Sequence, residues 1–398
     1  MEHHNNIINN KLDTTNYTKD NSMGIYLHIP FCVNKCKYCD FLSFKCDEDT
    51  KSKYVDSLIK EIILRSQLHN NRQISTIFIG GGTPSILESK KIYNIINTIS
   101  KYYHIEKDAE ITIECNPGTL NLLKLNDYKY SGINRLSIGL QSANDDELKA
   151  IGRIHSYVQF MESYNDAIDA GFSNINIDLI SALPYQTLKS YLETLMKVAK
   201  LNPTHISAYS LILEEGTPLY SFIYDGHEDL LPDEDTEREM YYKTLETLES
   251  FGYHRYEISN YSKPSYECKH NLSYWERKDY LGMGLGASSL IDNIRYKNID
   301  DLHNYIENSS SPSAIMTDIT ELSLKDQMEE YMFLGLRKIE GVSIPLFYEL
   351  FGTNMLNIYK DVLPKLQNDN LIKIENDYIK LTPIGIDVSN YVLSEFLL

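Results

Sequence analysis

Three cysteines fall close together in His28-Ile29-Pro30-Phe31-Cys32-Val33-Asn34-Lys35-Cys36-Lys37-Tyr38-Cys39, a Cys-x3-Cys-x2-Cys spacing. Only Cys46, Cys115 and Cys268 stand elsewhere. Thiolates are the ligands that iron–sulfur clusters favour. A cubane cluster has about four irons, so three local cysteines leave one iron with an open coordination position. An open iron can bind a molecule and act on it, beyond passing electrons. A disulfide framework does not fit, because six cysteines in 398 residues are sparse and no secretory signal precedes them. A closed zinc site takes four ligands, commonly from two Cys-x2-Cys pairs, and the second pair is missing. Cys46 and Cys115 read as ordinary small buried residues.

Further polar residues recur at the ends of short apolar runs. Gly80-Gly81-Gly82-Thr83 closes Thr76-Ile77-Phe78-Ile79, and Glu114 ends Glu110-Ile111-Thr112-Ile113. Gln141 follows Arg135-Leu136-Ser137-Ile138-Gly139, and Asp178 stands in Ile175-Asn176-Ile177-Asp178-Leu179. With Gly24–His28 and Ile206–Ser210, these runs read as six strands, separated by helical-period stretches such as Tyr54–Leu68 and Glu88–Tyr102. Six β-then-α units predict an α/β fold with a parallel sheet and helices outside. Right-handed crossovers curl such units into a partial (β/α)6 barrel, with a doubly wound open sheet as the alternative that periodicity leaves open. In both, ligands bind beyond the carboxyl ends of the strands. The cysteine loop, the glycines, Glu114, Gln141 and Asp178 all fall there, which predicts one common site. By itself the glycine run is a tight turn; directly after a strand it lets backbone approach a ligand closely.

Composition excludes some classes. A formal net charge of −18 argues against a nucleic-acid partner gripped over a broad surface. No run approaches 18 uninterrupted apolar residues, so no transmembrane helix is expected. Residues 1–22 are Asn-rich and polar, without an apolar segment of signal-peptide type. They read as a disordered leader, with Met23 as an alternative start. Free thiols and an oxygen-sensitive cluster point to a cytoplasmic location.

The cysteine triad, with aromatic Tyr38 before its third member, resembles the signature of the radical S-adenosylmethionine (SAM) superfamily. The order of Gly81, Gly82, Glu114, Gln141, Arg153 and Asp178 resembles the HemN, or coproporphyrinogen III dehydrogenase, branch. The stretch His270-Asn271-Leu272-Ser273-Tyr274-Trp275, continued by Tyr280-Leu281-Gly282-Met283-Gly284, resembles the HNxxYW motif of the HemW heme chaperones. Phe41 stands where the HemN enzymes carry a fourth cysteine, in Cys39-Asp40-Phe41. The resemblance implies a 4Fe–4S cluster on Cys32, Cys36 and Cys39. It implies SAM on Tyr26, Tyr38, Gly81, Gly82, Thr83, Glu114, Gln141, Arg153, Asp178 and Ile212, with the Arg153 guanidinium suited to a bidentate carboxylate. It implies heme near His270, Tyr274 and Trp275, with His270 as an axial-ligand candidate and Cys268 as a weaker one. A satisfied, buried His270 is the plain alternative. The implied activity is delivery of heme to acceptors such as respiratory proteins, in a chain that dimerises on cluster assembly; the rival activity is oxygen-independent oxidation of coproporphyrinogen III.

The rest of the chain differs in character. Residues 213–235 read as a polar loop, a long helix is expected near Glu237–Phe251, and Tyr256-Glu257-Ile258 reads as a short strand. Beyond the linker near Ser309–Ser313, helices are expected over Lys325–Leu336 and Ile344–Phe351. Leu371–Ile374 and Tyr378–Leu381 around Glu375-Asn376-Asp377 signal a hairpin. The expected divisions are a leader at 1–22, a radical SAM core at 23–260, a connecting HNxxYW segment at 261–312, and a winged-helix-like α+β HemN-type module at 313–398.

Overall fold

The structure is a computed structural model that describes residues 21–69 and 71–398. The expected leader therefore lies outside the described residues except for 21 and 22, and Ser22 already begins the first strand. Six strands run in parallel: β1 (Ser22–Ile29), β2 (Gln73–Gly81), β3 (His104–Cys115), β4 (Arg135–Gln141), β5 (Ile175–Ser181) and β6 (His205–Ser210). They neighbour one another in chain order, without the reversal that defines a doubly wound sheet. That order selects the partial barrel.

The sheet is extended at both ends. β7 (His254–Arg255) and β8 (Asn260–Ser262) add antiparallel beyond β6. β9 (Tyr280–Met283) adds parallel to β1, and β10 (Ser288–Ile291), β11 (Ile294–Asn298) and β12 (Met316–Glu321) follow antiparallel. Among the described residues the order runs from β12 to β7 and these two do not pair, so the barrel stays open.

Side-chain alternation decides what faces inward. Ile25, Leu27 and Ile29 are fully buried in the main core, which leaves Tyr26 and His28 on the other face of β1. Helix Ser89–Tyr102 shows how the outer layer seals: Ile92, Ile95, Ile96 and Ile99 repeat at helical spacing and all four are buried. Helix Leu188–Leu201 is started by a Thr187–Ser190 capping box and stopped at Asn202, whose φ of 56° is left-handed.

Two expectations need correction. Residues 213–235 contain a helix, Pro218–Tyr224, started by the Thr217 hydroxyl, and a short turn at Glu228–Leu230. Leu219 and Ile223 bury one face of that helix, which the polar composition around them hides. Tyr256–Ile258 is the turn between β7 and β8 and not a strand. There the buried Glu257 carboxylate accepts from Ser259 N at 2.8 Å and Asn260 Nδ2 at 2.6 Å, and Glu257 makes a single antiparallel bridge with Lys338 in place of a full strand.

Helices Leu324–Gly335, Ile344–Phe351 and Val362–Asn368 pack with β13 (Val342–Ser343), β14 (Ile372–Glu375) and β15 (Tyr378–Leu381) around a second core. Asn376 and Asp377, with φ of 52° and 63°, make the two-residue hairpin turn between β14 and β15. Tyr241 and Ile258 of the barrel pack against this second core. No helix among the described residues is long and apolar enough to cross a membrane.

Candidate functional site

The cysteine loop leaves the carboxyl end of β1 and is tied down at several points. Cys32 N donates to Phe44 O at 3.0 Å, and Phe44 N donates back to Pro30 O at 2.9 Å. Farther on, Lys37 N donates to Ile151 O at 3.0 Å, while Leu219 N of the unexpected helix donates to Lys37 O at 2.8 Å. Tyr38 packs on Ile151, Ile180, Leu183, Leu219 and Ile223, and burial pushes its phenol up to about 12. Burial also raises the Cys36 and Cys39 thiols, while the Arg153 guanidinium pulls Cys36 back down. All three thiols are free. Among the described residues, no three His, Cys, Asp or Glu side chains are drawn together at metal-ligand distance.

The glycines make room for protein atoms. A Cβ on Gly81, whose φ is +113°, would lie 2.6 Å from the His28 ring. One on Gly82 would lie 2.7 Å from Phe31 O and 3.0 Å from Cys32 Sγ, and one on Gly80 would crowd Phe78 and Glu114. The run therefore lets the cysteine loop and His28 close onto β2. The sequence suggested room for a ligand; in the structure, His28 and the loop occupy it. Thr83 Oγ1 lies 3.5 Å from Cys32 Sγ, and Gly81 N donates to Glu114 Oε2 at 3.1 Å.

Around that contact the rim is strongly polar. Burial, and then the nearby Asp178 carboxylate, push Glu114 up to about 8. Asp178 accepts from Ser137 Oγ at 3.0 Å and from Asn176 Nδ2 at 2.8 Å. Arg153 Nη1 donates to Asn116 Oδ1 at 2.9 Å, and Asn116 Nδ2 donates to Thr83 Oγ1 at 2.8 Å. Arg153 Nε is buried with no hydrogen-bond partner, an orphan donor that an anionic ligand would satisfy. Gln141 is buried with a left-handed φ of 70°, beside the register shift between β4 and β5. Such a bulge re-aims a side chain at a strand end. Ile212 is exposed just past β6. Arg153, Asp178, Glu114, Gln141, Thr83 and the cysteines thus share one end of the barrel.

His270 lies elsewhere. It sits on helix Lys269–Trp275, whose first backbone N–H groups donate to the Glu110 carboxylate. Its Nδ1 is 2.8 Å from Thr76 Oγ1, its Nε2 is 3.0 Å from Tyr274 Oη, and its ring stacks on Phe78. Burial lowers its pKa to about 3, so the ring is neutral at pH 7. Neither nitrogen is open, and iron ligation by His270 would need Tyr274 to leave. Cys268 is fully buried against Glu110. Tyr274 and Trp275, by contrast, line a cavity of about 390 Å³ together with Tyr26, His28, Tyr280 and Arg295.

Residues 26–198 match the Radical SAM superfamily, and residues 322–388 match the HemN C-terminal domain. "Heme chaperone HemW" of Lactococcus lactis subsp. lactis (strain IL1403) is 38% identical over 375 residues, covering 94% of this chain and 97% of that one. "Heme chaperone HemW" of Bacillus subtilis (strain 168) is 37% identical over 373 residues, with 94% and 98% covered.

The chain belongs to the HemW family.

The solved structure described as "Coproporphyrinogen III oxidase (HemN) from Escherichia coli is a Radical SAM enzyme" superposes with a TM-score of 0.84 at 24% identity, covering 96% of this chain and 91% of that one. The shared fold is the radical SAM α/β fold. Membership of this superfamily implies a 4Fe–4S cluster and SAM, and the free cysteine triad, the orphan Arg153 donor and the acidic rim are chemically suited to both.

Sequence reasoning missed three residues that build the HemW-family rim. Asn116 joins Arg153 to Thr83, Ser137 orients Asp178, and His28 fills the space left by Gly81 while its Nε2 lies 2.8 Å from Leu42 O of the cysteine loop. The position of His28, two residues after Tyr26 on the same strand face, was the available signal.

Proposed function

We propose that this protein holds heme transiently and delivers it to acceptor proteins such as respiratory cytochromes, with a SAM-liganded 4Fe–4S cluster on Cys32, Cys36 and Cys39. The observation that supports this reading most is near-full-length likeness to proteins named heme chaperone. Phe41, exposed where a fourth cysteine would stand, weighs against the enzymatic alternative. Cys32, Cys36 and Cys39 would hold the cluster, which would supply an open iron and an electron to SAM when bound. Arg153 pairs the SAM carboxylate through its free Nε edge, and Asn116 holds the guanidinium in place. Asp178, oriented by Ser137 and Asn176, accepts from ribose hydroxyls. Glu114 and Gln141 face the same ligand from β3 and β4, Tyr26 and Tyr38 shield the cluster, and Gly81, Gly82 and Thr83 seat the loop against it. Ile212 covers the adenine side.

Heme is held in the cavity walled by Tyr274 and Trp275, with His270 fixing the Tyr274 hydroxyl. The working units are the core at 23–260, the connection at 261–312 and the HemN-type module at 313–398. The protein acts in the cytoplasm, and cluster assembly favours a homodimer. The test is anaerobic: reconstituted protein loaded with heme is mixed with an apo-cytochrome, and separately with SAM, reductant and coproporphyrinogen III. Heme appearing on the cytochrome without porphyrinogen turnover is expected. Protoporphyrinogen formation without heme transfer would replace the chaperone reading with the enzymatic one.

A further inference from the structure

The cavity beside Trp275 has a rim whose charge runs against the rest of the molecule. Glu330, buried on helix Leu324–Gly335, bridges two arginines from different elements. Its Oε2 accepts from Arg277 Nε at 2.8 Å, and its Oε1 pairs with Arg295 Nη1 at 2.7 Å. Two guanidiniums against one carboxylate leave a local excess of one positive charge, in a chain of formal net charge −18. Arg277 is further held by Asn293 Oδ1 at 2.9 Å and has an 11% exposed side chain. Arg295 is different. Its side chain is 41% exposed on β11 and it lines the cavity, so its guanidinium fork can take a second carboxylate.

A second donor stands in the same wall. Trp275 Nε1 is buried with no hydrogen-bond partner, while the Arg337 guanidinium covers the indole ring at 4.5 Å. A buried N–H is ordinarily paired, so the unpaired Nε1 of a cavity-wall residue is a donor that a ligand would satisfy once the indole turns to meet it. Tyr26, Tyr274 and Tyr280 supply flat apolar surface beside it, with Tyr274 and Tyr280 edge-to-face at 4.5 Å. The volume of about 390 Å³ lies within the range of small-molecule sites.

We infer that Arg295, positioned by Glu330, is a carboxylate anchor that selects tetrapyrroles by their propionate groups, with the Trp275 indole N–H as the second donor. This rests on the heme-binding reading and deepens it: the aromatic wall takes the macrocycle and the arginine takes its acidic edge. Because Glu330 and Leu334 come from helix Leu324–Gly335, the anchor exists only while that helix is docked on the barrel.

The experiment titrates the full-length protein with hemin and with its dimethyl ester, read by Soret absorbance, in wild type, Arg295→Ala and Trp275→Phe. Wild type should bind hemin about tenfold or more tightly than the ester, the scale of a charge-assisted hydrogen bond. Arg295→Ala should abolish that preference, read as the hemin-to-ester affinity ratio within each variant, and Trp275→Phe should reduce it less. Equal binding of hemin and ester by wild type would overturn the anchor and leave heme binding standing. Binding of neither would overturn the heme reading and the anchor together. If Arg295→Ala fails to fold, the wild-type comparison still decides.

Discussion

The cysteine rim and the Trp275 cavity are built in opposite ways. The rim belongs largely to a single sheet: the cysteine loop, the glycines, Glu114 and Gln141 sit at or just past strand ends, while Asp178 stands within β5 and Arg153 follows helix Asp145–Ala150. Hydrogen bonds between neighbouring strands and their loops hold it together. The cavity is a property of a seam, where β1, helix Lys269–Trp275, β11 and helix Leu324–Gly335 each contribute a side chain. A site made by parallel strand ends is a consequence of topology, and survives as long as the sheet does. A site made at a seam depends on docking, which suits a ligand that must be released. The two share Tyr26 and His28, whose side chains meet at 3.0 Å.

The sharpest break between the regions should come from removing the cysteines. Cys32, Cys36 and Cys39 changed together to alanine should take reconstituted iron from about four per chain to none and abolish the broad cluster absorbance. Retained iron would move the cluster elsewhere. Next in size is the seam. Glu330→Ala leaves Arg277 without its carboxylate, and removing one partner of a buried pair costs about 3–5 kcal/mol. A shift in the urea midpoint should report that loss while cluster content stays intact. At the rim, Arg153→Ala should fold, keep its cluster, and lose ~2 kcal/mol of SAM affinity by calorimetry; an insoluble product would recast Arg153 as structural.

A titration separates the regions more finely. Glu114 is raised from an ordinary 4.5 to about 8, so the folded protein holds a proton that the unfolded chain releases. The stability it contributes is complete below about pH 4.5 and is lost as pH rises to about 8. Glu114→Gln should flatten the denaturation midpoint across that window, and an unchanged slope would argue against a buried neutral Glu114. On the heme spectrum the smallest effect belongs to His270. His270→Ala should cost ~2 kcal/mol or more in stability, because two hydrogen bonds and a buried stacked ring are lost, and leave the Soret band unshifted, whereas a moved Soret band would restore it as a ligand.

How much of this was legible follows the same division. The cysteine spacing and most of the polar residues lie in short contiguous runs, so the candidate rim and the six β-then-α units could be read, while the strand order decided between barrel and open sheet. Asn116 and His28 could not, because their partners, Arg153, Thr83 and Gly81, become neighbours only when the strands take their register. The helix at Pro218–Tyr224 was readable in part, since Thr217-Pro218 is a helix start and Leu219 and Ile223 share a face. Of the seam only Tyr274 and Trp275 were readable, through the HNxxYW stretch. Trp275, Arg295 and Glu330 belong to three elements whose docking no local period encodes.

One measurement reaches the centre of this account, that SAM and heme occupy separate sites. Hemin and SAM are titrated in parallel into reconstituted wild type and the Cys32→Ala, Cys36→Ala, Cys39→Ala triple variant. SAM binding should disappear with the cluster while hemin is still bound, with at most a modest change passed through the shared Tyr26 and His28. Hemin binding that vanishes together with SAM binding would place heme at the cysteine rim and contradict it.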